Sequence, residues 1–207
     1  DSVNYWGLSR LVRDESDLSI ERNQLFLDSF IIVAPHIQKG QYSDHPETIK
    51  EVLDTVADQY RGDMSRVYLT GLSRGGHGTW GLASKMPETF AAIAPVAGST
   101  DHVESFKPIA KTAVWIACNT GDGNYGETEE AIEEIEDLSD EKFLVVHDPD
   151  VSETDYLDQR FVLTAPRRDH HDAWTELYTR SEFYKWLLQQ SRKPLSSDQS
   201  VDAEDTG

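Results

Sequence analysis

Apolar residues fall along this chain in two alternating rhythms. Short continuous runs are separated by longer stretches at helical spacing. The first run, residues 30–34, is closed by Pro35 and predicts a buried parallel strand. Over residues 46–60, Ile49, Val52, Leu53, Val56 and Ala57 recur at helical spacing, with Pro46 suited to the first turn and Gly62 to the end. A second strand is predicted at 66–70, followed by a helix that runs to about Met86 and is stopped by Pro87. Further strands are predicted at 90–97, 113–117, 143–146 and 161–164. Residues 127–138 read as an amphipathic helix with Ala131, Ile132, Ile135 and Leu138 inward, its acidic side chains forming a solvated face. Residues 174–190 predict a last helix whose Trp174, Leu177, Tyr178, Phe183, Trp186 and Leu187 make a core-facing stripe.

The two ends are less regular. Tyr5, Trp6, Leu8, Leu11 and Val12 fit one helical face, and Ile20, Leu25 and Phe26 another. An acidic loop spans 148–158, and residues 196–207 read as a disordered acidic tail. The alternation between the ends predicts an α/β fold: a mostly parallel, doubly wound sheet of five or six strands with helices on both faces. With no internal repeat or linker, one domain is expected over 1–190, followed by a tail at 191–207.

Composition narrows the partners. The 38 acidic residues against 19 basic give a formal net charge of −19, unsuited to nucleic acid or anionic membranes. A lone cysteine, Cys118, excludes an internal disulfide framework and a multi-cysteine zinc site, and reads as a small core residue. No apolar run reaches membrane-spanning length and no signal peptide is visible. The first residue is Asp1, which implies a processed, excised or partial chain. Compartment and oligomeric state are left open.

The chemistry-bearing motif is Gly71-Leu72-Ser73-Arg74-Gly75, set between the strand at 66–70 and the helix after it. That context fits a nucleophile elbow, a strained strand-to-helix turn that exposes a serine hydroxyl, with glycines allowing close backbone approach. A serine nucleophile needs a base, and the base needs an orienting carboxylate, in the chain order Ser, Asp or Glu, His. His36 and His45 precede Ser73, His77 is too near it, and His102 and His147 come early. His170 and His171 follow the last predicted strand, where the base is expected. For the acid, Asp122 in Asn119-Thr120-Gly121-Asp122-Gly123 follows the strand at 113–117, with Asp148 and Asp150 as rivals; Asp172 adjoins the histidine too closely.

Metal and cofactor readings are weak. Asp148-x-Asp150-x-Ser152 resembles the start of a calcium loop but lacks the sixth-position glycine and the closing glutamate. No phosphate loop or dinucleotide fingerprint is present, and neither cofactor nor metal is expected.

Tyr68-Leu69-Thr70-Gly71-Leu72-Ser73-Arg74-Gly75-Gly76-His77-Gly78-Thr79-Trp80 resembles the elbow of the phospholipase/carboxylesterase-like α/β-hydrolases. It is more closely similar to their branch of predicted peptidases and poly(3-hydroxybutyrate) depolymerase-like esterases. Residues 90–98, the strand at 114–117 followed by Asp122, and His171-Asp172-Ala173-Trp174 running into Phe183-Tyr184-Lys185-Trp186 resemble three further segments of that branch. The resemblance covers about residues 25–190. It implies an α/β-hydrolase fold, Ser73 as nucleophile, Asp122 as acid, His171 rather than His170 as base, and the Arg74 backbone N–H as an oxyanion donor.

Three departures stand out. Cys118-Asn119 replaces the family's usual His-Gly, residues that shape the loop without doing chemistry. The family's first strands and the loop supplying a second oxyanion donor are expected before residue 1. The segment 143–158 is additional. The resulting expectation is a serine hydrolase acting on a small-molecule or polymer-derived carboxylic ester through an acyl-enzyme. A peptidase on the same residues, or a non-catalytic binding protein of this fold, are the alternatives.

Overall fold

The structure, a computed structural model, describes residues 21–147 and 153–192 of the 207-residue chain. Its strands are β1 (Tyr68–Leu72), β2 (Ala92–Val96), β3 (Ala113–Ala117), β4 (Leu144–Val146) and β5 (Phe161–Thr164). They form one sheet in the order β1-β2-β3-β5-β4, with every pairing parallel. The helices are α1 (Glu21–Ser29), α2 (Pro46–Tyr60), α3 (Arg74–Lys85), α4 (Tyr125–Ser139), α5 (Glu153–Leu157), α6 (Trp174–Tyr178) and α7 (Ser181–Gln189).

Because successive side chains of a strand point to opposite faces, each inner strand feeds two cores. Ile93, Val114, Ile116, Phe161 and Leu163 meet Ile49 of α2, Trp80 and Leu82 of α3, and Ile132 and Ile135 of α4 on one face. Ala92, Ala94, Val96, Trp115 and Val162 meet Phe26 of α1, Tyr156 of α5, Tyr178 of α6, and Phe183 and Trp186 of α7 on the other. The alanines of β2 leave room for the aromatic layer above them. Trp115 is its centre: its ring stacks on Tyr156 at 5.1 Å and meets Phe183 and Trp186 edge-on. Apolar residues on both faces explain why these strands read as continuous runs.

The residue pattern located all five strands, with boundaries moved by at most two residues at β1 and β2. It erred at residues 30–34, which form no strand; Ile31 and Ile32 are 51% and 39% exposed. Apolarity does not supply a hydrogen-bonding neighbour, and β1 pairs only with β2 among the described residues. The run is anchored instead by one ring, Phe30, packed edge-on against Tyr68 and Tyr184.

The single helix expected over 174–190 is two, α6 and α7, broken where Arg180 turns extended (φ −86°, ψ 125°). On a straight helix, Ser181 and Glu182 would follow Tyr178 into the core. The break resets the register so that Phe183, Tyr184 and Trp186 go inward. Thr179 assists by turning its hydroxyl back to the carbonyls of Thr175 and Glu176. Leu138, in the last turn of α4, is 42% exposed rather than inward. At the end of α2 the left-handed residue is Arg61 (φ 56°), not Gly62, whose N–H closes the turn on the Ala57 carbonyl. The patterns at residues 1–20 and the tail at 196–207 lie outside the described residues. Among the described residues no helix is long and apolar enough to cross a membrane.

Candidate active site

Three loops leave the carboxyl ends of parallel strands and converge, the place where open α/β sheets gather their ligands. The first is the turn from β1 into α3. Ser73 sits at its apex with φ 51° and ψ −117°, backbone geometry that costs a non-glycine residue about 1–3 kcal/mol. The turn is held by its neighbours: Ser73 N–H donates to the carbonyl of Val96, the last residue of β2, and His77 N–H donates to Ser73 O. Close packing finishes it. A Cβ on Gly71 would lie 2.4 Å from the Gly75 carbonyl oxygen, and one on Gly76 would lie 2.6 Å from that of Val96 and 2.9 Å from Gly98 Cα. Gly75, by contrast, has open space. The close approach thus belongs to Gly71 and Gly76, while the strain rests on the serine itself.

The second loop follows β3 and carries Asp122, whose side chain is only 2% exposed. Its Oδ1 accepts the Asn124 N–H at 2.9 Å, and its own N–H donates to the Asn119 carbonyl at 3.0 Å. The third loop follows β5 and carries His171, with its side chain 45% exposed. His171 Nδ1 is 2.6 Å from Asp122 Oδ2, and Nε2 is 2.8 Å from Ser73 Oγ. A carboxylate only accepts, so Nδ1 carries the proton toward Asp122 and Nε2 faces the serine hydroxyl as acceptor. The ring is flanked by Trp174, edge-on at 5.3 Å.

The other histidines lie elsewhere. His170 turns its Nδ1 to the Asn119 side-chain amide, 3.2 Å away. His147 bonds the Ala165 carbonyl and His45 the Lys39 carbonyl. His77 is half-buried beside the elbow, and burial first, then the neighbouring His102, hold its imidazole below the ordinary histidine range, against the pull of Asp101 and Glu127. Asp172 is occupied with Thr175, accepting from its N–H and hydroxyl at the start of α6. The rival acids Asp148 and Asp150, with the calcium-like motif they begin, lie outside the described residues. Cys118 is fully buried, and burial first, then the charge of Asp122, push its thiol up to about 12. Among the described residues no group of three or more His, Cys, Asp and Glu side chains is placed to hold a metal ion.

Arg74, the residue after the serine, opens α3, so its main-chain N–H lies in the first turn, where no intrahelical acceptor exists. Its guanidinium reaches away to the Gly40 carbonyl, a contact the residue pattern gave no sign of. Residue reasoning assigned Asn119 a loop-shaping part only; its fully buried amide reaches across to the histidine loop. A polar residue directly after a continuous apolar strand was the available signal.

Residues 37–151, more than half of the chain, match the model of the prolyl oligopeptidase family. The chain belongs to the prolyl oligopeptidase family. The matched region of this family member takes in Ser73 and Asp122 and ends before His171. The chain is also 43% identical over 51 residues to poly(3-hydroxyalkanoate) depolymerase C of Paucimonas lemoignei, across 25% of its own length and 12% of the depolymerase. A thermostable esterase of known crystal structure superposes on 70% of this chain with a TM-score of 0.57 and 24% identity, a likeness of fold that takes in 36% of the esterase chain. The chain thus spans a minor part of both relatives. The family match, this likeness and the parallel sheet with helices on both faces establish an α/β-hydrolase fold.

Proposed function

We propose that this chain carries the catalytic centre of a serine hydrolase that cleaves carboxylic esters through an acyl-enzyme. The observation that carries the proposal is the unbroken contact from Ser73 Oγ through the His171 imidazole to Asp122, beginning on a strained elbow. In this reading His171 Nε2 takes the Ser73 proton as Oγ attacks the ester carbonyl. Asp122 holds the ring and stabilises the imidazolium that forms. The Arg74 N–H donates to the oxyanion, at a helix start whose dipole also favours negative charge. Collapse of the tetrahedral intermediate breaks the bond to the alcohol oxygen, which takes the proton from His171. Water then attacks the acyl-Ser73, giving up a proton to His171, and the acid leaves as Ser73 recovers its hydroxyl proton.

The preference for an ester rests on the identity with a polyester depolymerase and on the resemblance of the elbow and histidine segments to esterases. Family membership favours a second reading, peptide cleavage by the same residues. The two separate on comparing p-nitrophenyl acetate with peptide p-nitroanilides, and the first reading expects turnover of the ester alone. Ser73→Ala should abolish that turnover together with labelling by a fluorophosphonate. Ester hydrolysis that survives Ser73→Ala sinks the proposal.

A further inference from the structure

We infer that Asn119 is a positioning residue for His171, and this rests on the reading of Ser73, His171 and Asp122 as catalytic. The loops after β3 and β5 continue the sheet's pairing beyond its edge. Cys118 N–H donates to the Thr164 carbonyl, Thr120 N–H to that of Pro166 and Gly121 N–H to that of Arg168. Among the described residues this main-chain ladder ends there, three positions before His171. From that point a side chain takes over. Asn119 Nδ2 lies 2.6 Å from the His170 carbonyl oxygen and 3.1 Å from that of Asp172, the two carbonyls that bracket His171; His170 Nδ1, at 3.2 Å, is its third and longest neighbour and is left without an N–H when both carbonyls are served. The same residue accepts the Asp122 N–H on its own main-chain carbonyl. One fully buried asparagine thus holds the backbone of the acid and the backbone on both sides of the base.

The chemistry of the contact narrows what can replace it. The two carbonyl oxygens are partly screened from water, and the Asn119 amide supplies both with a donor in place. A primary amide on a short stem offers two N–H groups from one nitrogen; serine or threonine offers one O–H, and aspartate would set a carboxylate against both carbonyls. The histidine needs such a brace. Its side chain is 45% exposed, yet its two nitrogens must face Asp122 and Ser73 at 2.6 and 2.8 Å together. Catalytic geometry tolerates little error: a displacement of about 1 Å can cost about 100-fold in rate. Asn119 contacts neither Ser73 nor the reacting atoms; it acts through the loop.

The test uses Asn119→Leu, which keeps the volume and removes the donors, in the full chain with p-nitrophenyl acetate. The expected result is a fall in kcat of about 30-fold or more with KM changed less than about twofold. In a His171→Ala background, with imidazole supplied in solution, Asn119→Leu should change the residual rate less than about twofold, because the residue it orients is gone. A proton spectrum adds a readout independent of turnover: the downfield Nδ1–H resonance of His171 should be present in the parent and lost in Asn119→Leu. Should Asn119→Leu fail to fold, Asn119→Ser, which retains one donor, should show an intermediate kcat and the same dependence on His171. Parental kcat and an unchanged resonance overturn the inference, and so does a loss that persists undiminished in the His171→Ala background. Ester turnover that survives Ser73→Ala overturns the hydrolase reading instead, and the resonance still decides whether Asn119 orients His171.

Discussion

Adding one methyl group at Gly121 should separate Asp122 from His171. A Cβ built there would lie 2.5 Å from Asp169 Oδ1, 2.8 Å from Asp169 Cα and 2.9 Å from the Arg168 carbonyl oxygen. Two of these atoms belong to the backbone of the histidine loop, so no rotamer change relieves the clash. The loops must separate by about 0.5 Å or more to restore ordinary contact. Gly121 adjoins Asp122, and its N–H is the last main-chain rung between the loops, so that separation reaches the His171–Asp122 contact at 2.6 Å. Overpacking of this kind costs about 1–3 kcal/mol. In a chain of this size that lowers the melting temperature by about 2–12 °C. Scaled from the sensitivity of catalytic geometry, kcat for p-nitrophenyl acetate should fall about 10- to 100-fold in Gly121→Ala. Gly123→Ala is the control, because on the other side of Asp122 a Cβ meets nothing within 4 Å. It should keep parental kcat and gain a few tenths of a kcal/mol, about 0.4–1, by restricting the unfolded chain. Parental melting and turnover in Gly121→Ala, or equal losses in both variants, would refute the reasoning.

Three further outcomes follow from the packing and charge of the molecule. Trp115→Ala removes a fully buried ring from the centre of the aromatic layer and should cost about 3–5 kcal/mol in urea unfolding, whereas a loss under about 1 kcal/mol would show that the layer closes over the gap. Cys118 should resist thiol reagents in the native chain at neutral pH and react once urea unfolds it, since its thiol is pushed up to about 12; rapid native labelling would contradict its burial. His77 is held below its ordinary value of 6.5, so the unfolded chain takes up its proton first as pH falls. Its contribution to stability is therefore complete above pH 6.5 and is lost on acidification below it. The urea midpoint should drop less steeply between pH 7 and pH 5 in His77→Gln than in the parent, and identical slopes would dismiss the role.

Much of this was legible along the chain, though unevenly. The strands β3 and β5 were found with their bounds intact because an apolar run buried on both faces is a local pattern. The turn from β1 into α3 was legible for a similar reason: Gly71, Ser73 and Gly76 crowd into one turn, and the demands of that turn are written in adjacent residues. The run at residues 30–34 misled because the same apolar character arises in a segment anchored by a single ring. The break between α6 and α7 was hidden because one helix and two have nearly the same stripe until the register at Ser181 and Glu182 is followed into three dimensions.

By itself, then, the sequence determined the order of elements, the α/β alternation, and a serine, an aspartate and a histidine placed after the strands β1, β3 and β5. These are properties of neighbours along the chain. The tertiary structure decided that His171 Nε2 faces a serine 98 residues away while Nδ1 faces an aspartate 49 residues away. It also decided that His170, one residue earlier, turns to Asn119 instead. Which of two adjacent histidines points inward depends on how the β3 and β5 loops zip together, with Gly121 allowing their approach and Asn119 bridging the carbonyls around His171. Contacts between such distant segments exist only once the sheet has brought the strand ends side by side.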